Sequence, residues 1–320
     1  MRFRTSLAAA LGLAVAGLTA FTFMARSGRF TPDETELLQR YALPASQFID
    51  IDGQRVHYAD TGTGAPVVLI HGSYGSLLDW EQWAAALTPK YRVVRFDLPR
   101  MGLSGPTPDG VDSVEYRVQL LRTMARQLRL ERFLLVATSS GGEFAAAYAA
   151  QYPETLSGLI LANIAVGALN MDMSHLSLRQ QAVLAVNSVF AGWRMQNFWQ
   201  VIMSLNYARP ERVEPQRVAR WTDLNNRAQR MPPVVRVASA PRPFVRTPDD
   251  LTHITVPTLL LWSAEDAEVP VETMGRKALD LLASTDKQLL TVPDCGHMML
   301  LECGAESAAM AQPFIARVTR

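Results

Sequence analysis

The 320-residue sequence has only two cysteines, too few for a disulfide framework. It also lacks an excess of either charge. Lys and Arg number 31 against 30 Asp and Glu, for a formal net charge of +1, so the basic surplus that marks a nucleic-acid binder is missing. Charged residues are sparse at 19%, whereas apolar residues reach 48%, and that balance excludes a disordered chain. Gly and Pro are spread evenly and no internal repeat is visible, which excludes collagen-like and low-complexity classes. No His pair has metal-ligand spacing with carboxylates or Cys, so neither a metal nor another cofactor is expected. What remains is a globular chain with a large core. Its length fits about two domain-sized units, or one α/β domain carrying an insertion.

The apolar residues are unevenly placed. The first 25 residues contain no acid, and from Thr5 to Ala25 there is no charge at all. A helix over that stretch would be ~31 Å long, about the thickness of a bilayer's hydrocarbon core. Residues 1–30 therefore read as a membrane anchor or a signal segment. Cleavage after Ala14-Val15-Ala16 would give a secreted or periplasmic protein but leave a still apolar start, so the uncleaved anchor is favoured, with the bulk of the chain exported. Arg2 and Arg4 on one side balance Arg26 and Arg29 on the other, which leaves orientation undecided by the positive-inside rule. A buried helix is the third reading, disfavoured by the polar exit that follows Arg26.

Beyond it, strand-like and helix-like runs alternate, the pattern of a mostly parallel sheet flanked by helices. Residues 47–51 and 55–58 around Asp52-Gly53 read as a β-hairpin. Buried strands are expected at 66–70, 92–97, 133–138, 158–163, 258–262 and 287–292, with helices at 79–88, 113–128, 141–151 and 271–284. Residues 45–164 and 254–320 thus form two parts of one core. The interval 165–253, without a convincing strand, reads as an inserted helical cap. Val183, Val186, Phe190 and Trp193 recur at helical spacing, as do Met195, Trp199 and Ile202. Most of these side chains are expected to pack cap helices on one another. Met195, Trp199 and Met203 are weak candidates for a pocket roof.

Ligands of open α/β sheets sit outside the carboxyl ends of the strands. Four such ends carry chemistry. Strand 133–138 runs into Ser139-Ser140-Gly141-Gly142, matching a G-x-S-x-G nucleophile turn with Ala137 in the first place. Strand 66–70 runs into His71-Gly72-Ser73-Tyr74, strand 258–262 into Ser263-Ala264-Glu265-Asp266, and strand 287–292 into Pro293-Asp294-Cys295-Gly296-His297. Ser, acid and His follow in the chain order expected of a triad on such a sheet.

With His71-Gly72, the segment Asp97 to Ser104, the elbow at Ser139, Trp262 to Asp266 and Gly296-His297, the sequence resembles the α/β-hydrolase superfamily over residues 45–318. It departs from the usual pattern at Ala137, Arg100, Ser263 and Gly304, none of which removes a reacting group. The resemblance implies an α/β-hydrolase fold, an eight-stranded mostly parallel sheet with flanking helices and a helical cap after strand 6. It implies Ser139 as nucleophile, His297 as base and Asp266 as the orienting acid, Glu265 being the runner-up. The backbone N–H groups of Ser73 and Ser140 become the expected oxyanion donors. Asp97 becomes a loop anchor. Tyr74 and Met298 join the weak substrate-binding candidates. His57 and His71 read as structural, and His175 and His253 as surface or cap residues. Cys295 and Cys303 flank His297 and could pair if the domain is exported, but a disulfide between them is not the favoured expectation.

A Ser nucleophile favours hydrolysis of a carboxylic ester through an acyl-enzyme, on a small to medium apolar small-molecule substrate. Carbon–carbon bond hydrolases of ring-fission products are the nearest alternative, followed by lactonase, thioesterase or amidase activity. Segments of the carbon–carbon hydrolases usually show Gly-Pro-Gly after His-Gly and a Trp after the catalytic His, where this sequence has Tyr74-Gly75-Ser76 and Met298. A non-catalytic ligand-binding protein of the same fold is the alternative from a different class.

Overall fold

A computed structural model describes residues 2–169, 176–190, 192–231 and 244–320, and in its first helix the side chains of residues 12, 13 and 15 onward. That helix, α1, runs Arg2–Arg26. Among the described residues no helix is long and apolar enough to cross a membrane. A short α2, Glu34–Tyr41, follows, its first turn capped by the Asp33 side chain.

The hairpin forms as β1 Ser46–Ile51 and β2 Gln54–Thr61, with Asp52 and Gly53 both at positive φ. Then come β3 Pro66–Ile70, α3 Glu81–Leu87, β4 Arg92–Phe96, α4 Val114–Gln127, β5 Phe133–Thr138, α5 Gly141–Gln151 and β6 Leu156–Ala162. Among the described residues four α-helices lie between β6 and β7: α6 Leu178–Ser188, α7 Gln196–Asn206, α8 Pro215–Asn226 and α9 Thr247–Leu251. The chain closes with β7 Thr258–Ser263, α10 Arg276–Leu281, β8 Lys287–Val292, α11 Met299–Glu302 and α12 Gly304–Val318. The sheet has eight strands in the order β1-β2-β4-β3-β5-β6-β7-β8, antiparallel at the first two pairings and parallel elsewhere.

Both faces of the central strands are buried, which is why they read as continuous apolar runs. On β5, Phe133, Leu135 and Ala137 pack with α4 and α5, whereas Leu134 and Val136 pack with α3 and α12. Burying a side chain of this size stabilises by about 1.5–3 kcal/mol, so a sheet covered on both sides is a rigid platform for its strand ends.

Several boundaries differ from expectation for local reasons. Asp97 lies just beyond β4, its carboxylate engaged by the following loop. The helix expected over 271–284 is a wide turn, Val271–Gly275, leading into α10, with Leu282 already extended. The stripe Val183, Val186, Phe190 and Trp193 does not lie on one helix. Helix α6 ends at Ser188 and leaves Val186 about half exposed, while Phe190 and Trp193 turn back to pack on Ala25. His175 falls outside the described residues, and His253 is exposed.

Candidate active site

Strand β5 delivers Ser139 on a sharp turn, with φ of +50° at the serine itself. That left-handed conformation is costly for a residue with a Cβ and is held by its surroundings. The Ser139 N–H donates to the Ala162 carbonyl at 2.9 Å. Small residues follow of necessity. A Cβ on Gly141 would come within 2.4 Å of the His71 carbonyl oxygen, and one on Gly142 within 2.2 Å of Ile164.

The loop after β8 brings His297 Nε2 to 3.0 Å from Ser139 Oγ. On its other edge, His297 Nδ1 lies 2.7 Å from Asp266 Oδ2, in the loop after β7. The Asp266 Oδ1 atom accepts the N–H groups of Glu268 and Val269, at 2.9 and 2.8 Å, which fixes the carboxylate plane. With a carboxylate at Nδ1 and a hydroxyl at Nε2, the tautomer assigned by these partners carries its proton on Nδ1, leaving a lone pair for the serine hydroxyl. Burial works against a charged imidazole here. The charge of Asp266 and its hydrogen bond, with a further push from Glu268, outweigh it and hold His297 above its ordinary range. Glu265, the alternative acid, points elsewhere and pairs with Arg209 at 2.9 Å.

The loop after β3 backs directly onto the serine. A Cβ on Gly72 would lie 2.8 Å from Ser139 Cβ. His71 is fully buried and pinned at both ends, its Nδ1 facing the Gly72 carbonyl at 2.7 Å and its Nε2 accepting the Leu98 N–H at 3.0 Å. Desolvation lowers its proton affinity, so it stays neutral and these two bonds order the loop. Neither the Ser73 nor the Ser140 N–H is taken up by a backbone carbonyl among the described residues, and the Ser73 hydroxyl donates to Ser140 Oγ at 2.8 Å. Asp97 ties this region together: it meets His57 Nδ1 at 2.6 Å and accepts the Leu77 and Leu103 N–H groups, both at 2.7 Å.

A cavity of about 700 Å³ opens over Ser139 and His297. Tyr74, Trp199 and Met298 line it, joined by Phe198, Ile202 and Leu301. Met195 and Met203 do not. Met203 is fully buried between α7 and α8 against Trp221 and Val218, and Met195 precedes the first turn of α7 and packs toward Phe190 and Trp193. On α7 the wall is made by positions 198, 199, 202 and 206, one helical stripe beside the buried one.

Three residues passed over in the sequence shape the site. Asn163, at φ of +47° and fully buried, donates to Ser263 Oγ at 2.9 Å and to the His297 carbonyl at 3.0 Å, and it accepts the Ser263 N–H at 2.8 Å. Glu302 accepts the N–H of Gly296 at 2.7 Å and those of Ala208 and Arg209 at 2.9 and 2.7 Å, joining the His297 loop to the segment after α7. Glu268 lines the cavity with a carboxylate oxygen 3.7 Å from His297 Nε2. An asparagine after a buried strand hints at positive φ, and Glu302 falls where the resemblance commonly has Glu-x-Pro, but nothing in the sequence signals Glu268. Cys295 and Cys303 are bonded to each other across eight positions, bracketing His297 and α11.

Among the described residues no group of three or more His, Cys, Asp or Glu could hold a metal ion. The model of the alpha/beta hydrolase family matches residues 67–310. Among curated relatives, a 2-hydroxy-6-oxononadienedioate/2-hydroxy-6-oxononatrienedioate hydrolase of Cupriavidus pinatubonensis is 26% identical over 263 residues, covering 79% of this chain and 89% of the relative. Among solved structures, a bacterial membrane phospholipase A superposes with a TM-score of 0.64 at 23% identity, covering 99% of this chain and 98% of the other. The naproxen esterase of Bacillus subtilis superposes with a TM-score of 0.71 at 18% identity, over 88% and 94% of the two chains. At these identities the structural likeness speaks to the fold, while the family match spans most of the core, including every residue of the Ser139 site. The chain belongs to the alpha/beta hydrolase family.

Proposed function

We propose that the protein is a serine hydrolase that cleaves a carboxylic ester of a small to medium, largely apolar substrate through an acyl-enzyme. The observation that carries this reading is the Ser139–His297–Asp266 relay, with steps of 3.0 and 2.7 Å, at the floor of an apolar-walled cavity. Ser139 attacks the ester carbonyl while its proton passes to His297 Nε2, and Asp266 stabilises the imidazolium. The N–H groups of Ser73 and Ser140 receive the developing oxyanion. His297 then returns its proton to the departing alcohol, and water repeats the sequence to release the acid.

The carbon–carbon hydrolase reading draws support from the named activity of the Cupriavidus relative, whose substrate name denotes a dicarboxylate. Against it stands the Tyr74-Gly75-Ser76 run in place of the Gly-Pro-Gly usual after His-Gly in that branch. A fluorophosphonate probe tests the enzyme reading. Labelling of the wild type and not of Ser139→Ala is expected, and failure to label well-folded wild type would overturn it. Hydrolysis of p-nitrophenyl esters separates the bond types: turnover of a ring-fission product with no turnover of any ester would replace the ester assignment.

We also propose that residues 1–30 anchor the chain, with the catalytic part exported. The uncharged run from Thr5 to Ala25 within one helix supports this, as does the Cys295–Cys303 pair, which persists in oxidising compartments. Fractionation of the full chain is the check: recovery from the soluble fraction with its N-terminus intact would rule out anchoring.

A further inference from the structure

Acidic side chains are dense around the loop after β7, and all but one have settled partners. Glu265 pairs with Arg209, Asp266 with His297 Nδ1, and Glu272 with Arg276. Glu268 differs. Its side chain is only 21% exposed, it lines the cavity, and among the described residues the sole basic group within 4 Å of its carboxylate is His297. A carboxylate drawn partly out of water without a fixed cation is costly unless a charge appears beside it. Such a charge appears during turnover, on the imidazole.

We propose that Glu268 is a positioning residue of the site, a second carboxylate that brackets the His297 ring at its Nε2 edge and stabilises the imidazolium formed when Ser139 gives up its proton. The inference rests on the serine-hydrolase reading of Ser139 and His297. The separation matters. At 3.7 Å the carboxylate oxygen is beyond a full hydrogen bond, so it attracts the charge without capturing the proton. Nε2 holds that proton against Ser139 Oγ and the leaving oxygen, and no atom is transferred to Glu268. Asp266 fixes the tautomer from the opposite edge, so the ring lies between two negative charges.

Other charges around the ring are engaged or more distant. Asp294, on the His297 loop, pairs with Arg209 and Arg212 from the segment after α7. Asp79 bonds Arg220, and Asp112 bonds Arg117. Arg100 and Arg194 lie elsewhere on the cavity wall, and the Arg194 guanidinium bonds the carbonyls of Asn187 and Trp193. The carboxylates within 4 Å of the ring nitrogens are those of Asp266 and Glu268.

The test is the pH dependence of fluorophosphonate labelling of Ser139 in the full chain, in wild type, Glu268→Gln and Glu268→Asp. The Gln side chain keeps the size and the backbone bond to Asp266 while removing the charge. The midpoint of the acid limb is expected to fall by roughly half to one pH unit in Glu268→Gln, because the neutral base then survives to lower pH. In Glu268→Asp, which keeps the charge but withdraws it, the midpoint should fall less. A merely structural role would lower thermal stability and leave the midpoint in place. An unchanged or raised midpoint in a folded Glu268→Gln protein would overturn the proposal, and a wild type that never labels would instead remove the serine-hydrolase reading beneath it. Should the Gln variant fail to fold, Glu268→Asp decides the matter: a smaller fall of the midpoint supports the proposal, and an unchanged or raised midpoint overturns it.

Discussion

At the scale of single residues, the site depends on which carboxylate meets which nitrogen. Asp266 has one oxygen on His297 and the other on two backbone N–H groups, whereas Glu265 is tied to a surface arginine. Asp266→Asn should therefore lower kcat by about four orders of magnitude by favouring the wrong tautomer of His297. Glu265→Gln should leave it within about threefold, in line with the modest worth of exposed ion pairs. Steady-state ester hydrolysis on both variants checks the pair. The pH dependence follows from the same contacts. Burial resists charging of His297, the Asp266 interactions outweigh it, and the proton affinity is raised. The base is thus protonated, and idle, at pH values where a free imidazole would already be active. The acid limb of kcat/KM should lie above about 6.5, and a limb below that value would contradict the bracketed imidazole. The order Ser, acid, His at three strand ends was readable because strand ends are local in sequence. Glu268 and Asn163 were not, since each gains meaning only from a neighbour that folding brings from another strand.

At the scale of elements, the central strands were legible because burial on both faces leaves little but apolar residues in them, and the Asp52-Gly53 hairpin because its turn demands positive φ; β8, expected to be buried, is an edge strand in which only Val292 is buried. The cap was harder to read. Helical spacing identifies which residues share a stripe, but not which of two adjacent apolar stripes faces the cavity and which faces α8. On α7 the answer divides Ile202 from Met203, neighbours in sequence. Two substitutions separate these roles. Ile202→Trp should cut kcat/KM for the longest p-nitrophenyl esters by roughly tenfold or more while sparing the shortest, since it fills the wall. Met203→Ala should cost about 2–5 kcal/mol of stability through the cavity it leaves, with the chain-length preference unchanged. Thermal unfolding and an ester series distinguish them, and a swap of the two phenotypes would refute the assignment of faces.

At the scale of the whole molecule, Ser139, Asp266 and His297 come from three strand ends held by one sheet, and the fastenings of the His297 loop include Asn163, Glu302 and the Cys295–Cys303 bond. A link closing so short a loop contributes about 2–3 kcal/mol by loop-closure entropy. Reductant, or Cys295→Ser with Cys303→Ser, should accordingly lower Tm and reduce activity, and an unaltered Tm on proven reduction would show the bond to be dispensable. The N-terminal segment is built into the same body. Phe21 and Phe30 stack on each other and meet Trp193, Arg230 bonds the Thr31 carbonyl, and Arg227 bonds both Glu34 and the backbone near Ser104. Any swing of α8 away from the sheet would have to peel these contacts apart together. The roof over the cavity is hence moored at two margins, by this seam on one side and on the other by the segment after α7, whose Ala208 and Arg209 N–H groups reach Glu302 and whose Arg209 and Arg212 meet Asp294: whatever loosens the first helix leaves the second mooring in place.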